Sequence, residues 1–421
     1  MKIFLIFLTF LALSIEAKLK IEISQGSKYL PKIAIVPFKS NMKIGESISM
    51  LIQDNLTLFG EFKALPKNEM LSFPSKEENF FYRDWNILNV DYVVIGNFQE
   101  ENSQFINIEY FVFNISLNKL ILRGDVSGNY SEKEKISKVI SNRVYKSITG
   151  LNGVFDTKIA YILNPSREEY KICISDIDGT DEEVLFESSA PLMSPSWSSD
   201  LKKLAYVSFE KGYPEIYMQD LFSGKRESIK TLGLSNSAPV WSPDNKKLAF
   251  VMSSSGNPDI YIYNLRNKKI SRHTTHYGID TEPAWSPNSK KLLFTSNRSG
   301  SPQIYELTVS SNRIKRVTLD GDYNARASYF PDGKDIVLVH GNNGVFHIGT
   351  KKLRSRFINT ISKTTLDESP TISPNGNIII YATKNNSQGY LAGLTLDGKS
   401  KFTLPVKFGS VREPAWSPFM N

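Results

Sequence analysis

A short motif, Pro-x-Trp-Ser-Pro-Asp/Asn, returns along this chain at a nearly constant interval, which restricts the fold to an array of small repeated sheets. Three clear copies are Pro195-Ser-Trp197-Ser-Ser-Asp200, Pro239-Val-Trp241-Ser-Pro-Asp244 and Pro283-Ala-Trp285-Ser-Pro-Asn288. Three more read Ala327-Ser-Tyr329-Phe-Pro-Asp332, Pro370-Thr-Ile372-Ser-Pro-Asn375 and Pro414-Ala-Trp416-Ser-Pro-Phe419. Their central residues are 44 apart, except for a step of 43 between Tyr329 and Ile372.

Each unit repeats the same parts. The Pro-x-Trp strand ends in a turn where Pro presets φ and Asp or Asn bonds its own backbone. An apolar strand follows, such as Leu248-Ala-Phe-Val251, then a Gly-containing loop, a third strand such as Ile260-Tyr-Ile262, and a fourth, outer strand. Four short strands in 43 or 44 residues make one propeller blade.

The array's ends are complementary. The sixth copy has almost nothing after it, whereas Thr157-Lys-Ile159-Ala-Tyr-Ile162, Ile172-Cys-Ile174 and Asp178-Gly179 supply later strands with no Pro-x-Trp strand before them. Joining the two fragments closes a six-bladed ring over 155–421 and removes the edges an open array would expose. The expected fold is mostly β: a C-terminal six-bladed β-propeller with a smaller N-terminal α/β domain.

That domain is expected over 18–151, where the period disappears. Strands are read at 19–23, 33–38, 90–98, 105–113 and 119–126. One helix is read over 44–59, with Ile44, Ile48, Leu51, Ile52 and Leu58 largely on one face. Another opens at Ser131 with Glu134 completing a capping box.

Residues 1–17 carry one positive charge and then an apolar run too short to span a bilayer, the pattern of a secretory signal peptide cut after Ser14 or Ala17. The single cysteine, Cys173, precludes an internal disulfide, and export without disulfides fits a periplasm. The net charge of +8 is scattered among acids, so no nucleic-acid or membrane-insertion tract is read.

No catalytic constellation emerges. Gly-x-Ser-x-Gly and phosphate-loop motifs are absent. His273 and His276 lack companion ligands, and Asp176-Ile-Asp178-Gly179 reads as a turn rather than a calcium loop. No catalytic residue, metal site or cofactor is assigned. Unrepeated side chains on the repeated scaffold remain: Ser194, Ala238, Glu282, Arg326, Ser369 and Glu413, each one place before the motif. They suggest a recognition surface at one end of the channel.

The run Gly278-Ile-Asp-Thr281-Glu282-Pro-Ala-Trp285-Ser-Pro with Asn297-Arg298-Ser-Gly300-Ser-Pro-Gln303-Ile-Tyr305 resembles the TolB family, the periplasmic component of the Tol-Pal system. Asp84-Trp-Asn-Ile-Leu-Asn-Val-Asp91, Val154-Phe-Asp-Thr-Lys-Ile-Ala-Tyr161 and Glu413-Pro-Ala-Trp-Ser-Pro418 extend the resemblance along the mature chain. It implies a monomeric, non-enzymatic interaction protein that supports outer-membrane integrity and cell division. Pal, the peptidoglycan-associated lipoprotein, is expected at the propeller mouth, against Ala238, Thr281, Glu282, Arg326, Glu368 and Glu413. TolA is expected at the mature N-terminus: Lys18, Leu19, Lys20, Ile21, Glu22 and Ile23. The competing reading is a secreted propeller hydrolase or lyase acting on glycan or peptide.

Overall fold

The computed structural model describes residues 20–23, 29–40, 44–101, 104–231, 235–254, 256–385, 388–404 and 408–420. The signal peptide read at 1–17, and Lys18 and Leu19, lie outside them.

The two ends of the array share one sheet. The innermost strand of the first blade is Ser410–Trp416, followed outward by Lys158–Ser166, Glu169–Asp176 and Glu183–Ser188. Trp416 stands opposite Ile159 and Ala415 opposite Ala160. The junction continues past the ladder: Lys158 N donates to Ser417 Oγ at 2.9 Å, and Trp416 Nε1 to Thr157 Oγ1 at 2.8 Å. Five further antiparallel sheets, with inner strands Leu192–Trp197, Ser235–Trp241, Asp280–Trp285, Tyr323–Tyr329 and Glu368–Ile372, complete six blades.

Burial explains why the second strand of each blade is a continuous apolar run rather than an alternating one. Leu248, Ala249, Phe250, Val251 and Met252 are all buried because neighbouring blades cover both faces of their sheet. The repeated Trp fills the seam: Trp241 packs with Ala205, Val207 and Ile216 of the preceding blade, and Trp285 with Ala249, Val251 and Ile260. Trp197 Nε1 also donates to Ala415 O at 2.9 Å, and Trp285 Nε1 to Val240 O at 3.2 Å. Inter-blade packing therefore accounts for these rings. In the turns, Ser242 Oγ donates to Asp244 Oδ1 at 2.6 Å and accepts from Lys247 N at 3.0 Å. Phe330 replaces that serine in the fifth blade, where its N still reaches Asp335 O at 2.9 Å.

The N-terminal domain has a five-stranded sheet in the order Lys63–Ala64, Lys32–Ile35, Tyr92–Glu101, Phe105–Asn114, Lys119–Asn129, parallel at first and antiparallel thereafter. Alternation divides its two faces. Ile33 and Ile35 meet helices α1 (Ile44–Thr57) and α3 (Lys133–Thr149), whereas Ala34 and Val36 lie in a second core with Trp85 of α2 (Tyr82–Ile87).

Two local expectations are corrected. The strand read at 19–23 does not join this sheet: Lys20–Ile23 pairs antiparallel with Ser400–Thr403 as a fifth, outermost strand of the sixth blade. The capping box does not form either, because a 3₁₀ turn over Tyr130–Glu132 precedes α3 and Asn129 Oδ1 takes the Ser131 N–H at 2.9 Å.

The domains share a continuous core. Phe59 lies 5.3 Å from Phe402, 6.1 Å from Phe155 and 6.4 Å from Trp416, centroid to centroid. Around it, Asn377 Nδ2 donates to Glu61 Oε1 at 2.7 Å, Tyr145 Oη donates to the same carboxylate, and Asn375 Nδ2 reaches Asn152 O. The α/β domain thus grips the Ser-Pro-Asn turn of the sixth blade and sits on the turn side of the ring. Asp176 adds an ionic tie, pairing with Lys138 of α3 and with Lys158 of the first blade.

Two predictions follow from the closure and this tie. Trp416→Ala removes a 7 % exposed indole from both the closing strand and the shared core and should cost about 3–5 kcal/mol in urea unfolding; a loss below about 1 kcal/mol would count against the closure's importance. Burial alone would raise the Asp176 pKa, but hydrogen bonds from Lys138 and Lys158 outweigh it and hold the group below its ordinary value. Its contribution is complete above the unfolded value of about 3.9 and is lost as pH falls through the lower native value. The urea midpoint of Asp176→Asn should fall less than wild type between neutral pH and acid below about 3.9; parallel curves would remove the tie from the account.

Candidate functional site

Every inner strand carries the same irregularity. Its ladder with the second strand gains one extra residue between Met193 and Ser196, Ser237 and Val240, Thr281 and Ala284, Ala325 and Ser328, Glu368 and Thr371, and Arg412 and Ala415. At each bulge one residue adopts left-handed backbone: Ser194, Ala238, Glu282, Arg326, Ser369 and Glu413, with φ between 48° and 55°. That geometry costs an L-residue roughly 1 kcal/mol or more, and none of the six is glycine. Proline closes the right-handed helical region to the residue before it. Yet Arg326 precedes Ala327 and has φ 51°, so the bulge sets the conformation even without proline.

The bulges aim six side chains of four kinds at the channel axis and build a constriction. On its turn side lies a chamber of about 500 Å³ walled by prolines such as Pro243, Pro287 and Pro331 and by the edges of the repeated Trp. Away from the α/β domain, two smaller chambers of about 380 Å³ and about 270 Å³ open beyond it.

Hydrogen bonds tie the constriction together. Arg326 Nε donates to Glu282 Oε1 at 2.7 Å, its backbone N to Glu282 Oε2 at 3.0 Å, and its Nη1 to Ser369 Oγ. Thr295 Oγ1 donates to Glu282 Oε2 at 2.8 Å. Glu413 Oε2 accepts from the Ser194 backbone N at 2.6 Å and from Ser194 Oγ at 3.2 Å. Burial opposes the Arg326 charge, but the carboxylates of Glu282, Glu413 and Glu368 outweigh it and raise the guanidinium pKa above its ordinary value. Both acids of the constriction are therefore engaged by fixed donors.

The residues expected at a partner-facing rim separate in depth. Ala238, Glu282, Arg326 and Glu413 form the constriction, Glu368 lines both far chambers, and Thr281 stands one place before its bulge, with its main chain opposite Thr295. Lys20, Ile21, Glu22 and Ile23 lie on the outer edge of the sixth blade, away from this ring. Sequence reasoning missed Arg412, Thr383 and Lys384 in the larger far chamber. Comparing the repeats one place farther upstream, where Met193, Ser237, Thr281, Ala325, Glu368 and Arg412 all differ, finds the first of them.

Other suspected groups have structural partners. His273 contacts Asn312 Oδ1 and Ser271 Oγ, and His276 Nδ1 accepts from Gly278 N. Asp178 Oδ1 closes its turn on Thr180 N at 2.9 Å. Burial raises the Cys173 thiol to about 12, so it is neutral and unreactive. Among the described residues, no group of three or more His, Cys, Asp or Glu is placed to hold a metal ion, and no helix is long and apolar enough to cross a membrane.

Two family models match the chain: the TolB amino-terminal domain at residues 19–121 and the TolB beta propeller domain at residues 145–420. The Tol-Pal system protein TolB of Hahella chejuensis is 51% identical, covering 96% of each chain. That of Alcanivorax borkumensis is 46% identical over 97% of this chain and 95% of the relative. The crystal structure of TolB from Acinetobacter baumannii superposes with a TM-score of 0.87 at 36% identity, covering 96% of this chain and all of that one.

A double-mutant cycle tests the constriction. Arg326→Met alone strands the Glu282 carboxylate among groups placed for a cation. Adding Glu282→Gln should recover part of the loss, with a coupling of about 1–3 kcal/mol in urea unfolding. Strict additivity would show that the pair does not hold the channel.

Proposed function

Since the chain belongs to the TolB family of the Tol-Pal system, we propose that it is a non-catalytic periplasmic docking protein. It binds Pal at the channel mouth away from the α/β domain and TolA through residues 18–23, and so supports outer-membrane integrity and cell division. The observation that carries this reading is the ring of bulges. A repeated scaffold spends backbone strain at six equivalent positions to present side chains of four different kinds, which suits recognition of one irregular protein surface.

Two features favour docking over a hydrolase or lyase. The channel acids Glu282 and Glu413 each accept hydrogen bonds from fixed neighbours, which leaves them poorly placed to shuttle protons. The mouth away from the α/β domain also leaves room for a protein to approach. The TolA role draws support from the placement of Lys20–Ile23 on a sheet edge, where a strand pairs through its main chain. The protein acts as a monomer in this reading.

Calorimetry with purified partners from the same organism provides the test. The mature chain should bind both the Pal periplasmic domain and TolA, whereas a chain lacking residues 18–23 should keep Pal and lose TolA. Failure of the intact chain to bind Pal would overturn the docking assignment, and undiminished TolA binding by the shortened chain would overturn the N-terminal one.

A further inference from the structure

Positive charge that is scattered along the chain is gathered in space. Residues 235–367, the third to fifth blades, hold nineteen Lys and Arg against ten Asp and Glu, an excess larger than the +8 of the whole chain. The first blade, which faces the fourth across a six-bladed ring, has the opposite balance: nine acids against four bases over 158–188 and 410–416. The excess lies on the outer rim. Residues 265–273, 309–318 and 351–363, which take in the fourth strands of the three blades and the turns leading into them, contain four, three and five Lys or Arg and no acid.

The three rims form one surface. His273 of the third blade contacts Asn312 of the fourth at 2.7 Å, and Leu353 and Ile358 of the fifth pack against a cluster containing Ile304 of the fourth. Burial and the nearby charge of Lys315 hold the Lys351 amine below its ordinary pKa. Carboxylates reach three of the exposed cations: Lys268 pairs with Glu227, Arg272 with Asp259 and Lys315 with Glu306. Arg266, Arg313, Arg316, Arg354 and Arg356 are exposed and, among the described residues, pair with none.

Protection of sheet edges does not explain the sign. Charged side chains on an outer strand deter pairing with another sheet, but either charge serves. The first blade uses Glu183 and Glu187, and the sixth covers its edge with Lys20–Ile23. Like charges gathered on one rim repel, a cost that an anionic partner removes.

Two observations favour a lipid surface as that partner. Antiparallel order places every turn between a third and a fourth strand at the turn side of the ring, so the cations of these turns spread over adjacent blades rather than around a pocket. A bilayer presents its phosphates as a layer and meets such a spread without fixed register. Phe357, directly after Arg354-Ser-Arg356, is 77 % exposed. An exposed aromatic among cations is the composition of a segment at a membrane interface, whereas an acidic polypeptide offers the ring no apolar layer to enter.

We propose that the rim of the third to fifth blades rests on a bilayer surface rich in anionic phospholipid, its cations facing the phosphates and Phe357 entering the headgroup layer. The rim lies apart from the channel, and the α/β domain sits on the first and sixth blades, so the proposal is independent of the Pal and TolA readings.

Flotation of the mature chain with vesicles tests it, using phosphatidylcholine alone or mixed with phosphatidylglycerol. The chain should float with the mixed vesicles and not with the neutral ones, and added salt should release it. Arg354→Glu with Arg356→Glu should weaken binding about tenfold or more. Phe357→Ser should weaken it without reducing the salt dependence. Lys119→Glu with Lys135→Glu, the same charge change on exposed residues of the α/β domain, should float nearly as wild type. The rim variants alter exposed side chains without ion pairs, so they should melt with wild type, which separates lost binding from lost folding. Equal flotation of wild type and the Arg354 and Arg356 variant overturns the proposal, as does an equal loss in the α/β control. If vesicles do not bind but poly-glutamate does, and only through Arg354 and Arg356, the rim serves an acidic polypeptide and the lipid assignment falls.

Discussion

Pairing between Ser410–Trp416 and Lys158–Ser166 joins segments some 250 residues apart in sequence, and the remaining geometry is referred to it. A blade is a thin sheet that buries both faces only when it has a neighbour on each side. Without closure, the first and sixth blades would each present an apolar face, that of Ile159 and Tyr161 and that of Ile378 and Ile380, to water. With closure, each face is covered and the inner strands are fixed around a common axis. The channel, its constriction and its chambers are consequences of that arrangement.

The α/β domain is built onto the same junction. Phe59 reaches the closing strand at Trp416 and the outer strand of the sixth blade at Phe402. Ser400 Oγ donates to Gly60 O at 2.7 Å, and the main chain of the same short strand also accepts Lys20–Ile23. Ring closure, domain docking and the attachment of the N-terminal strand therefore converge on the first and sixth blades. The opposite side of the ring, around Ala238 and Glu282, is free of these demands, so its side chains can vary without loosening the joint.

Much of this architecture was legible because the constraint is periodic. The Trp spacing reports blade size, and the missing strands at one end match the surplus at the other, so the pairing of Trp416 with the strand at Ile159 could be read without coordinates. What escaped was non-local or irregular. No local pattern says that Lys20–Ile23 leaves the neighbouring α/β sheet for a strand near residue 400, because an edge strand is chosen by main-chain geometry. Nor does the composition of Asp176-Ile-Asp178-Gly179 reveal that Asp176 faces Lys138 across a domain boundary. The candidate positions Glu282, Arg326 and Glu413 were found because they break the repeat, but their depth in the channel was not. Depth depends on a bulge, and one added residue in a ladder leaves no mark in a sequence whose period stays at 43 or 44.

That bulge reconciles a repeated fold with a unique surface. In a regular strand the alternating pleat would dictate which residues face the axis and tie their identity to blade packing. Inserting a left-handed residue interrupts the alternation at one level, so a position turned inward is uncoupled from the Trp that fills the seam three residues later. Packing then constrains the Trp, while the chemistry of the channel constrains the bulge residue. Each blade spends roughly 1 kcal/mol or more of backbone strain on this separation, against a seam in which every repeated ring is largely enclosed. Since the cost recurs in all six blades irrespective of the side chain carried, the scaffold preserves the inward aim itself. Ser, Ala, Glu and Arg at these places become variations that a docking surface can use.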